Sequence, residues 1–289
     1  MARRQQAQAG AINIRVHNHP TSDVYLNLLK SAYDLQRPLK ARGEQMLLLS
    51  SLNKPKIDGT LQYVEGMLAR FTNINSDEPW FNLKTKDIAE SDEISEIDIP
   101  EHLRPGFKGF RFCFFPKRHY FVFERAADKS TISHGMVESF LERLLNSPEL
   151  IDDYGEVNVN TVCEEKGLRE IYRIPTLKNL EIVIKRPNPD QLLSDEAVVM
   201  ERIAKMHANK VQQKLTAAKG ESLKPDDDIK ILAKVALDNG FVKGDGHDND
   251  RKKIEVSTKA YPKTLRKSFH ETEMTPKTAF NLLAREFLQ

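Results

Sequence analysis

The sequence lacks the features that usually identify a membrane, secreted or redox protein. No run approaches the roughly 18 apolar residues that a membrane span needs, so no membrane insertion is expected. Residues 1–6 have no apolar stretch behind their basic residues, which argues against a secretory signal and for the cytoplasm. The two cysteines, Cys113 and Cys163, are not spaced as CxxC. We expect buried free thiols, although the spacing does not exclude a disulfide between them.

Motifs for catalysis or cofactor binding are also missing. Residues 106–109 are too short and aromatic for a phosphate-binding loop, and residues 130–134 lack the glycines of a nucleophile elbow. Residues 245–250 lack the ligand order of a calcium loop and are typical of a turn. Glu181 and Lys185 are not spaced as in nuclease sites. The sequence therefore predicts no catalytic residue, no metal site and no cofactor.

The sequence does contain a concentration of aromatic residues in positions 106–124. Phe110, Phe112 and Phe114 recur at every second position, residues 116–119 interrupt the pattern, and residues 120–123 resume it. Because strands alternate faces at every residue, this pattern predicts two strands joined by a tight basic turn. Both faces are largely apolar, so the hairpin is expected in the middle of a sheet that is covered on both sides.

The remaining patterns predict an α+β fold, with a mainly antiparallel sheet around the aromatic hairpin and a more helical C-terminal region. The predicted strands cover residues 12–16, 46–52, 60–71, 157–161, 180–185, 241–242 and 253–258. The predicted helices start near residues 24, 133, 195, 225 and 275, and the third is expected to run to residue 218. Residues 1–10 are expected to fray. We predict a sheet domain in residues 1–190 and a helical and basic hairpin region in residues 191–289, which can pack on the first domain.

Charge is nearly balanced, with a formal net charge of +2, so only its distribution is informative. Acidic residues concentrate in positions 76–101, which are expected to form a solvated loop or edge. Basic residues gather at the turn of the aromatic hairpin, at the end of the strand 180–185, and in a late segment. The positions are Lys117, Arg118, Lys185, Arg186, Arg251, Lys252, Lys253, Lys263, Arg266 and Lys267. A solvated surface and a strip that pairs with phosphates both explain them.

The layout of the second half resembles the phage-exclusion protein RexA of lambdoid phages. A strand of the form Leu-Glu-Ile-Val-Ile-Lys at 180–185 leads into a charged helical segment and a basic late strand, and a helix closes the chain. The strand at 12–16 and its helix also resemble a family of bacterial proteins associated with phage defence. The resemblance implies a homodimer that binds double-stranded DNA without sequence preference, with Lys185, Arg186 and the late cluster as contacts, and it implies no enzymatic activity.

From the basic clusters and the resemblance, we predict a non-sequence-specific DNA-binding protein of antiviral defence that acts as a homodimer, with another defence protein as a possible partner. The last helix is expected either to close its own domain or to dock in part on a second subunit, because its apolar residues exceed the surface that one contact face requires. These residues are Phe280, Leu282, Leu283, Phe287 and Leu288. Two alternatives remain open. A nuclease would bring carboxylates and a lysine together in one cleft, and a protein-binding scaffold would expose an apolar patch.

Overall fold

A computed structural model describes residues 4–16, 23–59, 61–75, 78–95, 97, 99–100, 102–185, 194–206 and 208–288. The strands are β1 (Arg4–Val16), β2 (Leu39–Arg42), β3 (Gln45–Leu52), β4 (Lys56–Asp58), β5 (Leu61–Thr72), β6 (Phe81–Asn82), β7 (Asp87–Ile88), β8 (Lys108–Phe115), β9 (Tyr120–Glu124), β10 (Ala126–Ala127), β11 (Ser130–Thr131), β12 (Val157–Thr161), β13 (Thr176–Lys185), β14 (Lys210–Thr216), β15 (Gly240–His247), β16 (Lys253–Ser257) and β17 (Thr264–His270). The helices are α1 (Asp23–Asp34), α2 (Ser91–Ser95), α3 (His134–Leu145), α4 (Pro148–Tyr154), α5 (Glu165–Tyr172), α6 (Ser194–Lys205), α7 (Asp227–Asn239) and α8 (Pro276–Glu286). The predicted α+β class is confirmed.

The aromatic hairpin forms β8 and β9, and it lies in the middle of the larger sheet, as predicted. The strand order is β12-β1-β9-β8-β5-β3-β2, and the neighbouring strands are antiparallel. Phe110, Phe112 and Phe114 point into a core shared with α1, α3 and α4. Cys113 and Phe115 point to the opposite face, where α8 packs. Both faces are therefore covered, which explains why both are apolar.

A second, four-stranded antiparallel sheet has the order β14-β13-β15-β16. Helices α5 and α7 pack on one of its faces, and α6 packs against α7. This unit is inserted between β12 and β17, which both pair with the same edge of β1 because β9 occupies its other edge. Strand pairing therefore crosses residue 190, and the domain division at that residue stays a prediction.

Three local predictions were wrong. The helix predicted to reach residue 218 ends at Lys205, and β14 follows, because Val211 and Leu215 alternate with exposed lysines and pair with β13. The turn predicted for residues 245–250 begins only after His247, because β15 continues to that residue. Glycine is required at position 246, since a side chain there would meet the carbonyl oxygen of Thr176 on β13. Residues 4–10 do not fray, because they pair with β17.

Both cysteines are free and buried, as predicted. Burial raises the pKa of the Cys113 thiol and of the Cys163 thiol to about 12 in each case, which keeps both thiols protonated at neutral pH. Within the described ranges, none of the helices is long and apolar enough to cross a membrane.

Candidate nucleic-acid interface

The late basic cluster does not form one hairpin, because its two strands belong to different sheets. Strand β16, which begins at Lys253, pairs with β15 of the second sheet. Strand β17, which carries Arg266 and Lys267, pairs with β1 of the first sheet. Arg251 and Lys252 lie in the turn between β15 and β16. The expected grouping of these residues on one hairpin is therefore wrong.

The cations on and beside β17 also divide between two faces. Lys267 lies opposite the buried Ala7, on the face that α8 covers. The ammonium group of Lys263 lies 5.3 Å from the ring centre of Phe287. Arg266 lies opposite Gln8 and points to the other face. Strand alternation thus separates Arg266 from Lys267.

The remaining predicted cations are distributed over the first and second sheets. Lys117 and Arg118 are exposed in the 3₁₀ turn Pro116–Arg118 between β8 and β9. Lys185 ends β13. Arg186 lies outside the described residues. Of the predicted set, Lys185 and Lys253 share one face of the second sheet, as the strand registers require.

That face, which we call the open sheet face, is the side of the second sheet opposite α5 and α7. Leu180, Ile182 and Ile184 on β13 point into the core beneath those helices, so the alternate residues of β13 point away from it. The strand registers extend this alternation to the neighbouring strands. The charged residues of the open sheet face are Glu181 and Lys185 on β13, Lys210 and Lys214 on β14, Lys243, Asp245 and His247 on β15, and Lys253 and Glu255 on β16.

Positive charge collects at one end of the open sheet face. Lys185 lies directly opposite Lys210 in the ladder between β13 and β14. Like charges in directly opposed positions repel each other and destabilise a sheet. A carboxylate of Glu142 on α3 lies 3.8 Å from the Lys185 ammonium group, at the long limit of an ion pair. Lys214, four residues further along β14 and opposite Glu181, is exposed. We call Lys185, Lys210 and Lys214 the basic end.

The other end of the face is mixed in charge. Lys243 forms an ion pair with Glu255 at 3.0 Å, and Asp245 lies opposite Glu255 in the ladder. Lys253 lies beyond these acids. On β15, Gly240 pairs with Ile184, next to Lys185, and His247 pairs with Lys253. These two positions of β15 are seven residues apart, which is about 24 Å along a strand. Lys185 and Lys253 therefore share a face without lying close together.

The open sheet face has one aromatic ring, Phe241, and that ring already has a partner. The ammonium group of Lys259, from the 3₁₀ turn Thr258–Ala260, lies 4.4 Å from its centre. This distance is that of a cation–π contact. Phe241 is therefore poorly placed to stack on a nucleic-acid base.

The acidic residues do not converge in the way the nuclease alternative requires. Across the described ranges, no three His, Cys, Asp or Glu side chains come together as a metal-binding group. The carboxylate of Asp248 accepts hydrogen bonds from the backbone amides of Asp250 (2.9 Å) and Lys252 (2.8 Å). These bonds confirm that the stretch after His247 is a turn.

The predicted acidic loop is an excursion between β5 and β8, with β6, β7 and α2. Its acidic residues Asp87, Glu90, Asp92 and Glu93 are exposed, as predicted for a solvated segment. The excursion also exposes large apolar side chains. These are Phe81, Leu83, Ile88, Leu103 and Phe107, each more than half exposed. We call residues 78–107 the acidic excursion.

Sequence reasoning missed Lys210, Lys214 and Lys243 as members of one face. The first two were assigned to a helix, in which a spacing of four residues places them on one helical face rather than on one face of a sheet. Lys243 was placed beside a turn. The alternation of Val211, Gln213 and Leu215 was the signal that could have identified β14.

A family model covers almost the whole of both sheets. The model described as Domain of unknown function (DUF4747) matches residues 5–285, from the start of β1 to the end of α8. No curated protein matches the chain. The chain belongs to the DUF4747 family.

Proposed function

We propose that this protein binds double-stranded DNA through its phosphates and that the basic end of the open sheet face is the contact surface. The observation that carries the proposal is the pairing of Lys185, whose side chain is 33% exposed, with the exposed Lys210 across one ladder. Such a pair costs stability in the free protein, and bound phosphate groups would offset the repulsion. Lys214 extends the same surface along β14.

The chemistry of the surface favours phosphate contacts over base reading. Lysine is a compact charge without the fixed fork that lets arginine recognise a base edge, and phosphate contacts carry no sequence information. Recognition of single strands depends on aromatic rings that stack on bases. Phe241, the aromatic side chain of this face, is engaged by Lys259. The proposed binding is therefore independent of sequence and directed at duplexes.

A role in phage defence rests on the resemblance to RexA alone and stays a prediction. The partner protein predicted for that role stays a prediction as well.

Lys252 and Lys253, where the turn between β15 and β16 ends, provide a test of how far the DNA contact extends. Replacing Lys252 and Lys253 by Ala is expected to reduce the slope of log affinity against log salt by about 0.9, the value for one lost phosphate contact. Lys253 belongs to the open sheet face, whereas the Lys252 amide is bound by Asp248 in the turn. Fluorescence anisotropy with a labelled duplex at several salt concentrations measures the slope. An unchanged slope would show that these two lysines are only solvated.

We further propose a homodimer, but with a different contact from the one the sequence predicted. Ala279, Phe280, Leu283 and Phe287 are buried against the chain's own first sheet, and Leu282 is the exposed large apolar residue of α8. Helix α8 therefore closes its own sheet. The exposed apolar residues of the acidic excursion are a better candidate for contact with a second protein chain.

A shortened chain tests that contact. Residues 78–103 can be replaced by a short Gly-Ser linker, since the amide of Thr72 donates a hydrogen bond to the Pro105 carbonyl and so holds the two ends together. We expect light scattering to give a dimer for the full chain and a monomer for the shortened chain, with unchanged Tm. A monomeric full chain would remove the dimer, and a dimeric shortened chain would place the contact elsewhere.

A further inference from the structure

A second cationic site, with different residues, lies beside the basic end, where α3 of the first unit faces the second sheet. A cavity of about 400 Å³ opens there. Its polar lining includes Arg125, Gly135, Glu138, Thr161 and Lys259. A volume of this size falls in the range of small-molecule sites. We call this cavity the α3 cavity.

Arg125 lacks the partners that a partly buried guanidinium group normally has. Its Nε atom is buried without a hydrogen-bond partner, and its Nη1 atom donates only a long bond of 3.3 Å to the hydroxyl of Thr264. No carboxylate lies within ion-pair distance of it in the part of the chain that the structure describes. Burial lowers the pKa of Arg125, and the positive charge of Arg266 lowers it further. A partly buried cation without a counter-ion is destabilising, so an anion bound in the cavity would stabilise it.

The first turn of α3 adds hydrogen-bond donors to the same cavity. The hydroxyl of Ser133 accepts from the amide of Met136 at 3.2 Å, and the carbonyl of Ser133 accepts from Val137. The preceding amides, of His134 and Gly135, have no intrahelical acceptor by their position in the helix. A side chain at Gly135 would meet no atom within 4 Å, and Gly135 is exposed and lines the cavity, so a ligand can approach this turn. These donors and the helix dipole favour negative charge at this point.

His134 supports the cavity without taking part in acid–base chemistry. Its Nε2 atom lies 3.1 Å from the carbonyl oxygen of Lys263, which can only accept, so Nε2 carries the proton. Its ring packs edge-on against Phe123 at 5.3 Å between centres. Burial, together with the nearby charge of Arg125, lowers the pKa of His134 to about 4. The ring is therefore neutral near pH 7 and fixes the start of α3.

Glu138 limits which anions fit. One of its oxygens accepts a hydrogen bond from the hydroxyl of Thr161 at 2.5 Å, and both residues line the cavity. A carboxylate repels a bare phosphate ion, but it can accept a hydrogen bond from a hydroxyl group. The lining thus combines two cations, Arg125 and Lys259, with one acceptor. This set matches a ligand that carries both a phosphate and a hydroxyl group.

We propose that the α3 cavity binds a hydroxyl-bearing phosphate monoester, with Arg125, Lys259 and the Gly135 amide on the phosphate and Glu138 on the hydroxyl. A ribonucleoside monophosphate, with its 5′-phosphate and its ribose hydroxyl groups, has this chemistry. The site does not depend on the proposed DNA contact at the basic end.

Gly135→Glu is the sharpest test, because it places a carboxylate in front of the phosphate position. A Glu in the first turn of a helix is favourable, and the space at Gly135 is open, so the variant is expected to fold with unchanged or raised Tm. Isothermal titration calorimetry with adenosine monophosphate should show binding to the natural chain and a loss of about tenfold or more in Gly135→Glu, the effect of a charge-assisted contact removed. Gly135→Ala, the matched control, should keep its affinity, and Lys259→Gln should weaken binding at unchanged Tm.

Further probes distinguish the sources of the phosphate. Inorganic phosphate should bind more weakly than adenosine monophosphate, because it cannot use Glu138 as an acceptor. A short duplex with a 5′-phosphate should bind the cavity no more tightly than inorganic phosphate, because its terminal deoxyribose has no free hydroxyl to donate to Glu138. Sequence-independent duplex binding at the basic end should remain in the Gly135→Glu variant. No binding of adenosine monophosphate by the natural chain, or equal binding by Gly135→Glu, would overturn the proposal.

Discussion

Replacing Lys185, Lys210 and Lys214 together by Ala is expected to weaken the binding of a DNA duplex by roughly a hundredfold near 0.15 M salt. Each neutralised phosphate releases condensed counterions and contributes about 0.9 to the slope of log affinity against log salt. The triple variant should therefore lose about 2.7 from that slope. All duplex sequences should be affected alike, because phosphate contacts carry no sequence information.

A matched control distinguishes the effect of the open sheet face on DNA affinity from the effect of total charge. Lys54, Lys129 and Lys234 are exposed and lie outside the open sheet face and the acidic excursion, so their replacement by Ala removes the same charge elsewhere. This control should keep most of the affinity and slope. The triple variant of the basic end should fold as well as the natural chain, since it removes the opposed pair Lys185 and Lys210. Equal losses in both variants would mean that total charge, not the open sheet face, attracts DNA.

Gly66→Ala is expected to reduce the free energy of unfolding by about 3 kcal/mol, near the upper end of what overpacking costs. Gly66 lies on β5 in the middle of the first sheet, opposite Phe112 on β8. A side chain there would clash with the carbonyl oxygen of Ser51 and with the ring of Phe112. The backbone of β3 and the buried aromatic core would both have to move, and neither can move cheaply.

Urea unfolding measures this loss, and Gly135→Ala supplies the comparison. A side chain at Gly135 meets open space, so that substitution should be neutral or stabilising. A Gly66→Ala variant as stable as the natural chain would show that β3 and β5 can separate at their irregular pairing near Ser51 without cost.

Helix starts and the aromatic hairpin could be predicted because their signals are local. Ser133, Asp226 and Thr275 each precede a helix and accept a hydrogen bond from a backbone amide in its first turn. The alternation of Phe110, Phe112 and Phe114 assigns them to one side of a strand without any knowledge of neighbours. The segment after Lys205 was assigned wrongly because a lysine-rich sequence tolerates a helix, whereas the exposed edge of β13 offered it a full ladder of hydrogen bonds.

The sequence by itself determined the α+β class, the central hairpin, the helix caps and the location of charge along the chain. Only the tertiary structure decided which charges meet. Lys185 faces Lys210 because β14 returns beside β13, and Arg125 shares a cavity with Lys259 because the second sheet is inserted between β12 and β17. The late basic cluster was divided for the same reason, since β16 and β17 pair with different sheets. Local periodicity determines the face on which a residue lies. Contacts between distant segments depend on how strands pair, and strand pairing depends on the burial of the whole core.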